Sequence, residues 1–209
     1  MSERPEHYFS KHPRSRVKPG LIRACLRKRS LQFLTASGIF SQKRIDLGTR
    51  LLIECMILPP EGTVLDLGCG YGAIGIAAAV FNPLLKVTMV DVNDRAVRLA
   101  KKNIELNSVT NAAVKHGSMY EPVKGFAFDC ILSNPPVSAG LKTVTEIVTQ
   151  APDHLTGRGK LEMVLRSKVA GSRLLSAFEN AFGNVCVLAR GSGFRVLMAE
   201  KTQHTSQVI

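Results

Sequence analysis

Apolar and polar positions change their period several times along this chain of 209 residues. Before residue 60 the signals are short. Leu31–Thr35 and Gly38–Ser41 flank an Ala36–Ser37–Gly38 turn, a pattern that predicts a hairpin. Asp46 stands where it can cap a helix from about Leu47 to Leu58, which Pro59–Pro60 ends. From residue 63 a regular alternation begins. Thr63–Leu67 reads as a buried strand and Ala73–Phe81 as an apolar helix, broken by Asn82–Pro83. Lys86–Asp91 is a second strand. Asn93–Leu106 is an amphipathic helix with Ala96, Leu99, Ala100, Asn103 and Ile104 on related faces. Strands follow at Ala113–His116 and Phe128–Leu132. A helix at Thr143–Leu155 ends at Thr156–Gly159. Then come strand Leu161–Leu165, helix Ser172–Phe182, and strands Val185–Leu188 and Arg195–Glu200.

Strands alternating with helices of this length need crossover connections, and so a mainly parallel sheet covered by helices. Only Ala189–Phe194 joins the last two strands, enough for a hairpin but not for a helical crossover. The fold class is therefore α/β: a Rossmann-like, doubly wound, mainly parallel seven-stranded sheet with an antiparallel last strand. Residues 46–209 form this domain. Residues 1–45 form a basic N-terminal extension with the hairpin. Ligands of such sheets bind at the carboxyl ends of the strands.

Charge adds a partner to this picture. Lys and Arg number 28 against 16 Asp and Glu, a net charge of +12. Residues 1–50 hold twelve of the bases and three of the acids. An excess gathered at one end points to a polyanion, nucleic acid first; a solvated basic surface is the plainer alternative. Cysteines number five, with no C-x-x-C pair, which argues against a disulfide framework or a zinc cluster. The histidines show no ligand spacing, so no metal is expected. No signal-peptide core opens the chain, and its apolar runs are too short to span a bilayer. A cytoplasmic location without a membrane partner follows. The sequence leaves the oligomeric state open, with a monomer as the starting expectation.

The chemistry concentrates at two strand ends. The first strand runs into Asp66-Leu67-Gly68-Cys69-Gly70-Tyr71-Gly72-Ala73-Ile74-Gly75, where Gly70, Gly72 and Gly75 satisfy G-x-G-x-x-G. Asp91 closes the second strand, placed for the hydroxyls of a ribose. NAD and S-adenosylmethionine both fit that outline. Asp66 separates them. A carboxylate beside a pyrophosphate meets like charge, whereas S-adenosylmethionine brings a sulfonium and an ammonium group and no phosphate. At the second site, strand Phe128–Leu132 ends in Ser133-Asn134-Pro135-Pro136. The Pro pair fixes the backbone just past the strand. The side-chain and main-chain carbonyls of Asn134 can accept both hydrogens of one –NH₂ group, aiming its nitrogen lone pair at an electrophilic methyl group.

These segments, with Val90-Asp91-Val92-Asn93, resemble motifs of class I S-adenosylmethionine-dependent methyltransferases. Ser37-Gly38-Ile39-Phe40-Ser41 and Asp46-Leu47-Gly48-Thr49-Arg50-Leu51-Leu52 narrow the likeness. They resemble the segment before the catalytic domain in the ribosomal small-subunit RNA methyltransferase C family, of the small methyltransferase domain group. His7-Tyr8-Phe9-Ser10 is similar to the start of stand-alone archaeal members. The resemblance implies methylation of the exocyclic amine of guanine in structured RNA, ribosomal or transfer. It places Asp66, Gly68 and Gly70 at the methionyl part of the cofactor, with Cys69 beside them. Asp91 goes to the ribose, with Val92 beside it, and Ser118 and Met119 to the adenine. It gives Asn134 and Pro135 the target amine, counts Asn134 among the cofactor-binding residues as well, and gives Pro136 and Val137 the acceptor base. Members carry an aromatic residue where this chain has Val137, which stacks less well. Phe40 is the candidate substitute. Arg14, Arg16, Lys18, Arg23, Arg27, Lys28 and Arg29 are expected to grip phosphates.

Two other functions fit the same motifs. A protein-glutamine methyltransferase acting on a translation factor would use the same Asn-Pro-Pro logic, because a side-chain amide is also a planar amine. That family carries Tyr after the Pro pair and an acidic helical N-terminal domain, neither of which is here. A non-catalytic module binding S-adenosylmethionine or RNA is the third reading, against which the intact Asp66, Asp91 and Asn134 speak.

Overall fold

A computed structural model describes residues 19–39, 41–136, 140–169 and 171–202. Two strands, β1 (Pro19–Leu26) and β2 (Arg29–Ala36), form an antiparallel hairpin. Helix α1 (Leu47–Cys55) leads into the main sheet. Its elements are β3 (Gly62–Leu67), α2 (Ala73–Phe81), β4 (Leu85–Asp91), α3 (Asp94–Leu106), β5 (Ala112–His116) and β6 (Phe128–Ser133). After these come α4 (Gly140–Gln150), β7 (Leu155–Arg166), α5 (Ser172–Phe182), β8 (Cys186–Gly191) and β9 (Phe194–Glu200). The seven strands lie in the order β5-β4-β3-β6-β7-β9-β8. All pairings are parallel up to β7, and β9 is antiparallel to both of its neighbours. The short β8–β9 link thus produces the antiparallel strand its length requires, inserted between β7 and β8.

The expected doubly wound sheet is present, with three differences in its elements. The hairpin turns at Arg27–Lys28, both with positive φ (41° and 65°), and not at Ala36–Gly38. Residues 37 and 38 do form a turn, but among the described residues no strand follows it before α1. The buried positions Ile22, Ala24, Leu26, Leu31 and Phe33 alternate with exposed ones across the real hairpin. Helix α4 ends earlier than the sequence suggests. A 3-10 turn at Ala151–His154 follows it, where Pro152 has no N–H to continue an α-helix, and β7 starts at Leu155.

One face of the sheet packs on α1, α2, α3 and the hairpin, whose apolar side joins the same core as Leu52, Ile53 and Ile76. The other packs on α4 and α5, around Ile131, Val148 and Phe178. Among the described residues the outer edge of β2 has no strand beside it. Asn103 in the last turn of α3 and Asn107, which caps that helix, take that place. Asn107 Oδ1 accepts from Gln32 N (3.0 Å) and its Nδ2 donates to Gln32 O (2.7 Å). Asn103 does the same for Leu34 (2.7 and 3.0 Å) and also donates to Tyr71 O in the glycine turn (2.8 Å).

Candidate active site

The carboxyl ends of β3, β4, β5 and β6, together with the N-terminus of α1, enclose a cavity of about 550 Å³. Its wall includes Gly68, Cys69 and Gly70 after β3, Asp91 and Val92 after β4, Ser118 and Met119 after β5, and Asn134, Pro135 and Pro136 after β6. The sequence assigns all of these to one site, and the fold brings them together.

The glycine turn is shaped to lie against a ligand. Gly68 and Gly70 have φ of 75° and 58°, and a Cβ on either would meet no atom within 4 Å. The backbone there is bare toward open space, in a conformation that other residues reach at a cost. Gly75 has a different task. A Cβ on it would lie 2.5 Å from Met89 Cγ, so its absence lets α2 press onto β4. Asp91 fastens the turn: its Oδ2 accepts from Gly70 N and its Oδ1 from Asn93 N, both at 2.8 Å. Each oxygen keeps a lone pair for a hydroxyl. Burial raises the Asp91 carboxyl above its ordinary value, against the pull of these hydrogen bonds.

Asp66 corrects the reading that placed it against the ligand. It is fully buried beneath the turn and is not part of the cavity wall. Its Oδ2 accepts from Gly75 N (2.8 Å), holding the first turn of α2, while Oδ1 is buried without a hydrogen-bond partner. Burial pushes its pKa up to about 7. The Cys69 thiol is likewise raised, by burial first and then by the nearby Asp91 and Asp66, so it serves as wall and not as a nucleophile.

The end of β6 is held from outside by α1. Asp46 caps that helix as expected, its Oδ2 accepting from Gly48 N (2.9 Å) and Thr49 N (3.2 Å). The side-chain Nδ2 of Asn134 donates to Thr49 Oγ1 (2.8 Å) and to the same Asp46 Oδ2 (3.3 Å). A carboxylate only accepts, so the –NH₂ end of the amide must face α1. Among the described residues that leaves Oδ1 as the uncommitted end of a side chain lining the cavity. The next two residues are prolines without N–H groups, so the strand end presents acceptors and no competing backbone donor. Ser133 Oγ donates to Leu67 O (2.8 Å), locking β6 to β3 where both meet the cavity.

Sequence reasoning missed several wall residues. Asp46 was legible only as a helix cap, and Thr49 only as part of a resembling segment. Tyr71, inside the glycine motif but given no role, lines the cavity as well, as do Arg166 and Phe194, which no local motif announces. Three of the residues expected to grip phosphates lie at the hairpin tip. The Arg27 guanidinium donates to the carbonyls of Glu54 and Met56 and lies 5.5 Å from the Phe81 ring centroid. It pins the hairpin tip at the far end of α1 and α2. Lys28 and Arg29 share that tip, and β2 spans about 23 Å from there toward the cavity, at about 3.3 Å per residue. None of the three is placed to hold a nucleotide in the site. Arg14, Arg16, Lys18, Phe40 and Val137 lie outside the described residues. Among the described residues no helix is long and apolar enough to cross a membrane, and no cluster of three or more His, Cys, Asp or Glu could hold a metal ion.

Comparison with known proteins decides between the cofactors. Residues 30–198 match the methyltransferase small domain family. The chain belongs to that family. Its likeness to S-adenosylmethionine-dependent methyltransferases is borne out, and with it the donor, S-adenosylmethionine. This family member is 35% identical to the uncharacterized protein YbxB of Bacillus subtilis, across 94% of this chain and 98% of that one. It is 36% identical to the ribosomal RNA small subunit methyltransferase C of Aeromonas hydrophila, across 81% of this chain and 49% of that one. The chain thus spans about half the length of the small subunit methyltransferase C relatives it matches. Among solved structures it superposes on the Thermus thermophilus 16S rRNA N2 G1207 methyltransferase in complex with AdoMet and guanosine. The TM-score is 0.77 at 27% identity, over 90% of this chain and 51% of that one.

Proposed function

We propose that this protein methylates a planar exocyclic amine of structured RNA, most specifically N2 of guanine in ribosomal RNA. The polarity of the Asn134 amide carries the reading. With Nδ2 fixed by Thr49 and Asp46, Oδ1 and the main-chain carbonyl of Asn134 remain to accept the two hydrogens of one amine. The relatives named for ribosomal RNA methylation support the acceptor class.

The residues present suit the donor. Gly68 and Gly70 offer bare backbone to the methionyl part, Asp91 offers two acceptor oxygens to the ribose, and Ser118 and Met119 flank the place left for the adenine. When bound, S-adenosylmethionine supplies an electrophilic methyl group on a positively charged sulfur. The chain's own work is orientation. An aromatic amine is a weak nucleophile because its lone pair is shared with the ring. Two acceptors on its hydrogens fix the amino group and turn the remaining lone pair toward the donor side. Holding the pair in that geometry supplies much of the acceleration. No strong base is needed before attack, because the nitrogen loses its proton readily once it is cationic.

Incubation with labelled S-adenosylmethionine and undermodified total RNA or total protein, followed by mass spectrometry, tests the reading. N2-methylguanosine in ribosomal RNA is the expected product. Label on protein glutamine, or on transfer RNA alone, would replace the acceptor named here.

A further inference from the structure

The cofactor residues occupy the ends of β3, β4 and β5, and Asn134 the end of β6. Strand order continues the wall past Asn134 through β7 and β9. There Arg166, the last residue of β7, pairs in register with Phe194, the first residue of β9. Both line the cavity. The Arg166 guanidinium lies 5.1 Å from the Phe194 ring centroid. The ring is seated on Gly48, where a Cβ would stand only 2.8 Å from Cδ1 and Cε1. Gly48 sits between Asp46 and Thr49, the two residues that hold the Asn134 amide. One turn of α1 therefore fixes both the acceptor group and the ring. Tyr71, the other aromatic side chain lining the cavity among the described residues, packs against Phe33 at 5.7 Å on the hairpin side.

We propose that Phe194 and Arg166 form the platform on which the acceptor base rests, a role the sequence assigned to Phe40 in the absence of an aromatic at Val137. The inference rests on reading the acceptor as a nucleobase. Phe194 is largely buried with the guanidinium over its ring, so the exposed plane of Arg166 is the face a base meets, and the ring backs that plane from beneath. The surroundings suit a nucleotide and its neighbours. Ser167 N donates to Gly193 O (2.9 Å), tying the β7–α5 connection to the β8–β9 turn. Lys168, Arg173 and Arg190 are exposed on these segments and form no ion pair among the described residues. They offer positive charge to phosphates flanking the target base. The RNA then enters over the β7–β9 end of the sheet and not along the hairpin tip.

The test compares wild type with Phe194→Leu, Phe194→Tyr and Arg166→Met on undermodified ribosomal RNA, with cofactor affinity measured by calorimetry. Phe194→Leu removes the ring that fixes the Arg166 plane and is expected to raise the KM for RNA about tenfold, the scale of one weakened stacking contact. Its cofactor affinity stays near wild type while its melting temperature falls, because the ring is part of the core, and Phe194→Tyr, which keeps the ring, loses less RNA affinity than Phe194→Leu. Arg166→Met raises the KM with little change in the salt slope of RNA binding, because its guanidinium meets the base and not a phosphate. An unchanged KM in Phe194→Leu overturns the platform, as does an equal loss of cofactor affinity, which marks the ring as structural. A wild-type enzyme that methylates protein and no RNA overturns the nucleobase reading itself, and the platform with it.

Discussion

At the scale of single residues, Asp46 joins two tasks that sequence patterns keep apart. It caps α1, and it sets which end of the Asn134 amide faces the cavity. Asp46→Asn separates the two. Asparagine caps helices about as well as aspartate, but it can present its own –NH₂ to Asn134 and so no longer dictates the amide's orientation. The variant is expected to melt near the wild-type temperature. Its transfer rate falls about tenfold to a hundredfold, the worth of a hydrogen bond to a charged group. Circular dichroism and a single-turnover assay read the two effects separately, and a full rate in a folded variant would remove Asp46 from this role. Asp66 teaches the opposite lesson. Its position before the glycines marks the turn correctly, yet its carboxyl lies under the turn and braces α2. Spacing locates such a residue within the motif; only packing shows which side of the backbone it occupies.

At the scale of elements, the alternation of strands and helices from residue 63 was legible because the strands are short, apolar-rich runs bounded by turn residues. Helix α2 matches its expected range, Ala73–Phe81, since a glycine turn and Asn82–Pro83 bound it. The hairpin was not legible where it lies. Its turn is made by Arg27 and Lys28, neither of which is a turn signal, whereas Ser37–Gly38 looks like one. Its stability comes from tertiary partners, above all the Asn103–Asn107 pair that replaces a neighbouring strand. Asn103→Ala leaves the Leu34 N–H and C=O and the Tyr71 C=O without that partner. A loss of roughly 2 kcal/mol is expected. In hydrogen exchange, the amide of Leu34 should lose protection more than the interior amides of β3. Equal loss at both would show that the asparagine stabilises the whole fold and not the hairpin edge. Because Asn103 also holds Tyr71 O, the edge of the hairpin and the cofactor turn share one side chain.

At the scale of the whole molecule, the net charge of +12 divides differently from its sequence pattern. Arg27 is consumed in holding the hairpin, and Lys28 and Arg29 sit at a tip remote from the cavity, so charge counted along the chain does not map onto charge around the cavity. Stability has a pH dependence of defined sign. Burial raises Asp66 from 3.8 to about 7 and Glu162 from 4.5 to about 7. Folded, each keeps its proton to a higher pH than when unfolded, so both withdraw stability as pH rises from about 4 to about 7. Glu162 is remote from the cavity wall, and its carboxylate accepts from Ile57 N (2.9 Å). Glu162→Gln should therefore gain melting temperature relative to wild type between pH 5 and pH 8. A difference that shrinks over that range would give the carboxyl the opposite shift.

The central claim is that Asn134, oriented by α1, positions the acceptor amine and does not hold the cofactor turn together. Calorimetry with S-adenosylmethionine and single-turnover transfer on the same preparation of Asn134→Ala test it most directly. The expected result is cofactor affinity within about twofold of wild type, with transfer reduced on the order of a hundredfold or more. Transfer within a few-fold of wild type, or loss of cofactor binding in parallel with activity, would contradict it.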